Sequence, residues 1–170
     1  MPLWYDLFPT AWGWVAGVVS EGGVRALSLP RPTPAEAWAQ VLPWAEGAQP
    51  NASALAVVRE RIQAYLQGHP VALEDIPVDS EGAPPFFRRV WEMCRSIPRG
   101  QVRTYKWLAE AVGHPRAVRG VGQAMARNRV PLVVPCHRVV GSDGGLHGYA
   151  GGVGMKARLL ALEGMKWSGQ

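Results

Sequence analysis

Two apolar, β-branched runs open the chain, Trp12 to Val19 and Val24 to Leu29, parted by Ser20-Glu21-Gly22-Gly23. That is the pattern of a β-hairpin whose turn needs glycine. Thr33-Pro34-Ala35-Glu36 then reads as a capping box with proline at the first helical position, because the Thr hydroxyl and the Glu carboxylate can each satisfy an orphan amide. A second helix is predicted over about Ser53 to Gln67, where Leu55, Val58, Ile62 and Tyr65 recur at helical spacing and Gly68 supplies a left-handed cap. Strands followed by helices make the first half a small α/β unit. The breaker-rich stretch from Pro77 to Pro85 reads as a linker, placing a domain boundary after residue 83. Beyond it the apolar period is helical: Phe86 to Ser96, Thr104 to Val112, Arg116 to Arg127 and about Val153 to Glu163. Gly113-His114-Pro115 joins the middle pair with the spacing of a helix-turn-helix.

The helix from Arg116 changes the picture from packing to binding. At about 100° per residue, Arg116, Arg119, Gly120, Gln123 and Arg127 share one face, while Val118, Val121, Gly122 and Met125 share the other. The helix holds no acid. Gly120 costs about 1 kcal/mol of helix propensity relative to alanine, so a close approach by another backbone is expected at that point. Charge sharpens this reading. Residues 1–83 hold 4 Arg against 9 acidic residues, net −5, whereas residues 84–170 hold 14 Lys plus Arg against 4 acids, net +10. So polarised a chain points its second half at a polyanion. Of 18 cations 15 are Arg, the residue suited to bidentate phosphate contacts.

Composition bounds the rest. A hydrophobic share of 48% supports a packed core. No run approaches the roughly 18 apolar residues of a membrane span. Met1 to Asp6 lacks the basic start and apolar core of a signal peptide. The expectation is a cytoplasmic protein whose two cysteines are reduced thiols, with no membrane partner.

Candidate chemistry sits at Pro135-Cys136-His137-Arg138, after the apolar run Val130 to Val134. Two nearby prolines break regular structure by removing backbone donors and fixing φ, so the thiol lies in a fixed, non-repetitive segment beside an imidazole. Cys94 provides the contrast: Phe87, Val90, Trp91 and Cys94 follow the i, i+3, i+4, i+7 stripe of a buried helix face, which makes Cys94 packing. Cys136 has no such periodicity. His69 is isolated and carries no expected role.

These features together resemble the O6-alkylguanine-DNA alkyltransferases, suicide repair proteins. The resemblance covers residues 84–170 through Pro98 to Ala109, Arg116 to Gly122, Asn128 to Val140, Gly148 to Gly152, Lys156 and Leu162-Glu163-Gly164. It implies an α+β fold: a small ribonuclease-H-like α/β domain over 1–83, then a mainly helical, winged-helix-like domain over 84–170 carrying the helix-turn-helix. It implies irreversible, stoichiometric transfer of an alkyl group from O6 of guanine in duplex DNA to Cys136, and leaves open whether O4 of thymine is also accepted. His137 and Glu163 correspond to the groups that activate the thiol through a water, Asn128 to the brace of the segment, and Tyr105 to a hydrogen-bonding partner of the guanine edge and of the DNA phosphate. Arg119 corresponds to the finger that fills the gap left by the flipped base. Thr104, Arg116, Gly120, Gln123 and Arg127 join Arg119 at the minor groove, and Val139, Tyr149, Ala150, Gly151 and Lys156 form the base pocket. Ala150 stands where some members have a serine near the guanine oxygen. The implied partner is duplex DNA carrying O6-alkylguanine, met by a monomer. No cofactor is implied, and the zinc ligands of some members are missing, so no metal is expected. Two other classes fit parts of the pattern: a DNA-binding regulator with an incidental thiol, and a cysteine hydrolase using Cys136, His137 and Glu163.

Overall fold

A computed structural model of the 170-residue chain describes residues 1–146, 149 and 151–165. The fold is mixed α+β and divides into two compact units: Met1–Glu81 with Arg129–Val133, and Gly82–Asn128 with Val134–Gln170. A single cut after residue 83 does not express this division, because Arg129–Val133 goes with the first unit.

In the first unit the strands β1 (Trp4–Thr10), β2 (Gly13–Ser20), β3 (Gly23–Leu27) and β4 (Gln49–Pro50) form one sheet in the order β3-β2-β1-β4. The first three pair antiparallel and β4 runs parallel to β1. Strand β2 is apolar almost throughout because both its faces are covered. Ala16 and Val18 pack with Ala37 and Val41 of helix α1 (Pro34–Val41). On the opposite face a Cβ at Gly17 would lie 2.7 Å from Leu55 Cδ2, just ahead of helix α2 (Ala56–Leu66). The predicted cap of α1 forms: Thr33 Oγ1 accepts from Glu36 N at 3.2 Å. Strand β1 was not among the expected elements; Pro9 and its half-buried pattern hide it from an alternation rule. At the hairpin turn, Gly23 has φ 132° and a Cβ there would sit 2.5 Å from Pro77 O, so only glycine fits.

The second unit is helical. Helix α3 (Pro85–Cys94) buries Val90, Trp91 and Cys94, the expected stripe. Helices α4 (Tyr105–Ala111) and α5 (Val118–Ala126) follow, both packed against α3, and α6 (Gly152–Leu162) closes the described fold. The Trp91 indole donates to Ala124 O of α5 at 2.7 Å. Two short parallel strands, β5 (Arg103–Thr104) and β6 (Val139–Val140), bring the start of α4 beside the segment that follows Cys136.

Helix α5 corrects the expected faces. Arg116 and Ala117 precede it and Arg127 caps it, and its buried residues are Val121, Ala124 and Met125. Val118 is 38% exposed and a Cβ at Gly122 would meet nothing within 4 Å, so both lie outward with Arg119 and Gln123. The face is turned because α3 and α4 both pack on α5, covering the Gly120–Ala124 side. Gly120 is small for the same reason: a Cβ there would lie 3.1 Å from Phe86 Cε2. The close neighbour is thus a ring of α3. Gly122→Ala is expected to stabilise the free chain by about 1 kcal/mol, the helix-propensity difference with no clash to offset it, as chemical denaturation would show.

Candidate active site

The cysteine is aimed by a turn. Pro135 sits at φ −80°, ψ 65°, and Cys136 N donates to Val134 O at 2.8 Å, the signature of an inverse γ-turn that proline's fixed φ favours. One 3-10 turn, Cys136–Arg138, follows and leads into β6. Asn128, just past the end of α5, bridges the turn: its Nδ2 donates to Val134 O at 2.9 Å and to Cys136 Sγ at 3.2 Å.

Behind the thiol lies a buried ionic cluster. His137 Nε2 meets Glu163 Oε2 at 2.9 Å, with both side chains inaccessible to solvent. A carboxylate only accepts, so Nε2 carries the hydrogen and the lone pair is at Nδ1. Glu163 is the C-cap of α6, between Leu162 and Gly164 at φ 93°, where the helix dipole disfavours an acid. Arg138 is what holds it there. Its Nε donates to Oε1 at 2.9 Å and its Nη2 to Oε2 at 2.7 Å, while Nη1 donates to Ile97 O at 2.7 Å. Arg138 was missed as a site residue, although its place after the Cys-His pair was the available clue.

The electrostatics follow from burial. Burial pushes the Cys136 thiol up, against the Asn128 hydrogen bond and the Lys156 charge. Burial also pushes His137 down, opposed by Glu163, so the imidazole is neutral at pH 7. Burial acts to raise the Glu163 carboxyl, but hydrogen bonds from His137 and Arg138 outweigh it and hold the group well below the usual carboxylate range. With His137 neutral, the anion leans chiefly on Arg138. The cluster therefore offers a thiol, a neutral base and an anion ready to stabilise the imidazolium once a proton moves. Because the folded carboxyl lies below its ordinary 4.5, its stabilising contribution is complete above that value and is lost as pH falls through the folded value. Urea denaturation at neutral and acid pH is expected to show this, with Glu163→Gln flattening the slope.

Three further expected residues gather nearby. Lys156 is 1% exposed, and its Nζ lies 5.7 Å from the Tyr105 ring centroid and 5.8 Å from that of Tyr149. Burial lowers its pKa to about 8. Burial and then the Cys136 charge raise Tyr105 to about 12, keeping it a hydroxyl donor. Val139 is buried in β6 and Gly151 caps α6, while Ala150 lies outside the described residues. Thr104 Oγ1 caps α4, accepting from Trp107 N at 2.9 Å.

The arginine face is separate from this cluster in kind. Arg116, Arg119, Gln123 and Arg127 are all exposed, and the Arg127 guanidinium stands 6.0 Å over Phe87. Among the described residues no group of three or more His, Cys, Asp or Glu is placed to hold a metal, and no helix is long and apolar enough to cross a membrane.

Comparison with known proteins finds relatives of this chain. Residues 85–165 fit the family described as 6-O-methylguanine DNA methyltransferase, DNA binding domain. A methylated-DNA--protein-cysteine methyltransferase of Mycolicibacterium paratuberculosis is 45% identical over 113 residues, 66% of this chain and 67% of that one. Its namesake from Shigella flexneri is 45% identical over 105 residues, 62% of this chain and 61% of its own length. The matched segment thus spans about two thirds or less of those relatives. The likeness to solved structures is wider. The Mycobacterium tuberculosis O6-methylguanine methyltransferase has a TM-score of 0.78 at 30% identity, covering 95% of this chain and 92% of that one. A complex of that organism's protein with DNA gives 0.77 at 30% identity, covering 94% and 91%. Likeness at that identity over both units is one of family as well as fold: the chain belongs to the O6-methylguanine-DNA methyltransferases.

Proposed function

We propose that the chain repairs duplex DNA by moving an alkyl group from O6 of guanine to Cys136, once per molecule. The carrying observation is the Asn128–Cys136 contact at 3.2 Å beside the buried His137–Glu163 pair at 2.9 Å. His137 Nδ1 takes the thiol proton through a water, and Glu163 stabilises the imidazolium. The sulfur then attacks the alkyl carbon in line as the C–O bond to guanine breaks, leaving a thioether. Tyr105, a hydroxyl donor at neutral pH, stabilises the departing guanine anion. Thioether carbon has no ready leaving group, so the protein is consumed.

A base inside a duplex has to leave the stack, at a cost of a few kcal/mol. The exposed face of α5 supports a minor-groove role, since the small residues Gly122 and Ala126 lie outward beside Arg119 and Gln123. Arg119 fills the vacancy, Arg116, Arg127 and Thr104 meet the backbone, and Tyr149, Ala150, Gly151, Val139 and Lys156 enclose the base. On this reading the first unit is ribonuclease-H-like, the second is winged-helix-like, and the protein acts as a cytoplasmic monomer. Intact mass spectrometry after incubation with an O6-methylguanine duplex is expected to show one added methyl per chain, mapped to the peptide of Cys136. An unchanged mass, or many products per chain, overturns the assignment.

A further inference from the structure

The chain leaves the second unit after Asn128 and re-enters it at Val134, and the five residues between belong to the first unit. Both ends of this strap meet at the Cys136 turn. Asn128 at one end donates to Val134 O at the other and to the sulfur two residues further on. The strap itself is firmly held. Leu27 N of β3 donates to Arg129 O at 2.9 Å, Arg129 Nη1 donates to Glu81 O at 2.8 Å, and the guanidinium stands 5.7 Å over the Trp44 ring. Val130, Leu132 and Val133 are buried, and Leu132 adopts φ 75°, a left-handed conformation that a branched side chain accepts only when its surroundings enforce it.

We infer that Arg129 is a positioning residue for the alkyl transfer: anchored in the first unit, it fixes the strap whose two ends set the Asn128–Cys136 hydrogen bond. The coupling is covalent. Asn128 is the immediate neighbour of Arg129, so a shift of the Arg129 backbone turns the Asn128 amide away from the sulfur. A loosened amide withdraws a hydrogen bond that favours the thiolate. The first unit thereby takes part in the reaction through the chain itself, a role that rests on the proposed transfer activity.

The test uses the full chain as parent, Arg129→Ala, Arg129→Gln and Arg129→Lys. Single-turnover transfer is measured from an O6-methylguanine duplex and from O6-benzylguanine as the free base, across a range of pH. Arg129→Ala is expected to slow both reactions by about 10- to 100-fold, since a misplacement of about 1 Å can cost about 10²-fold. Its rate profile moves to higher pH, affinity for undamaged duplex is unchanged, and the lysine variant, which keeps a cation over Trp44, recovers most of the rate. Should the alanine variant fail to fold, the glutamine and lysine pair gives the same comparison. Unaltered rates and pH profiles in Ala and Gln overturn the inference, as does a loss confined to DNA substrates that follows lost affinity. A parent that transfers nothing from either substrate removes the activity itself, and is told apart from these results by the failure of the unmutated chain.

Discussion

Cys136→Ala is expected to remove alkyl transfer altogether, a loss beyond the about 10²- to 10⁴-fold that removing a general base costs. On the proposed mechanism the sulfur forms the new bond, while His137, its Nε2 bound to Glu163, serves as the base and the Lys156 ammonium faces two tyrosine rings. Binding of alkylated duplex is expected to survive, because the arginine face of α5 is untouched. Cys94→Ala is the matched control. Its thiol is fully buried in the α3 stripe and pushed far up by burial, so transfer should persist, with stability lower by about 1 kcal/mol for the lost apolar contacts. Labelled methyl transfer from duplex, read for both variants, separates the nucleophile from the packing cysteine. Label on a Cys136→Ala chain would sink the mechanism.

Glu163→Ala should have the largest effect on stability. It strips the acceptor from both Arg138 hydrogen bonds and from His137, and leaves a guanidinium that is only 12% exposed without its anion. Breaking a buried pair in this way costs about 3–5 kcal/mol. Transfer is expected to fall as well, by about 10²-fold at a temperature where the variant remains folded, because the imidazolium formed on proton removal has lost its counter-charge. Equilibrium urea unfolding gives the first number and single-turnover kinetics the second. If stability drops while the transfer rate holds, Glu163 is a structural anchor and the His137 step needs another partner.

Much of this site was legible in the chain, and the gaps have physical causes. Cys136 stood out because Pro131 and Pro135 exclude periodic structure around it, and Cys94 could be set aside because a helical stripe explained it. Glu163 came from the resemblance and stood at the end of a predicted helix, where an acid needs a partner. The partner was not visible. Arg138 reaches it from 25 positions away in sequence, a pairing that only the packing of α6 on the turn creates. Gly120 shows the opposite error: its small size was expected at a binding face, but the ring of Phe86 occupies that space. A helical wheel gives angles within a helix and cannot say how many helices cover it, so Val118 and Gly122 came out on the wrong side.

By itself the sequence determined which residues are chemically capable and which segments are regular, since backbone propensity, capping and apolar period are local properties. Tertiary structure alone decided which of those residues meet. It set the neutral state of His137 through burial, joined Glu163 to Arg138, and threaded Arg129–Val133 into the first unit between Asn128 and Cys136. Desolvation and long-range pairing depend on what lies across the fold, which no local pattern records.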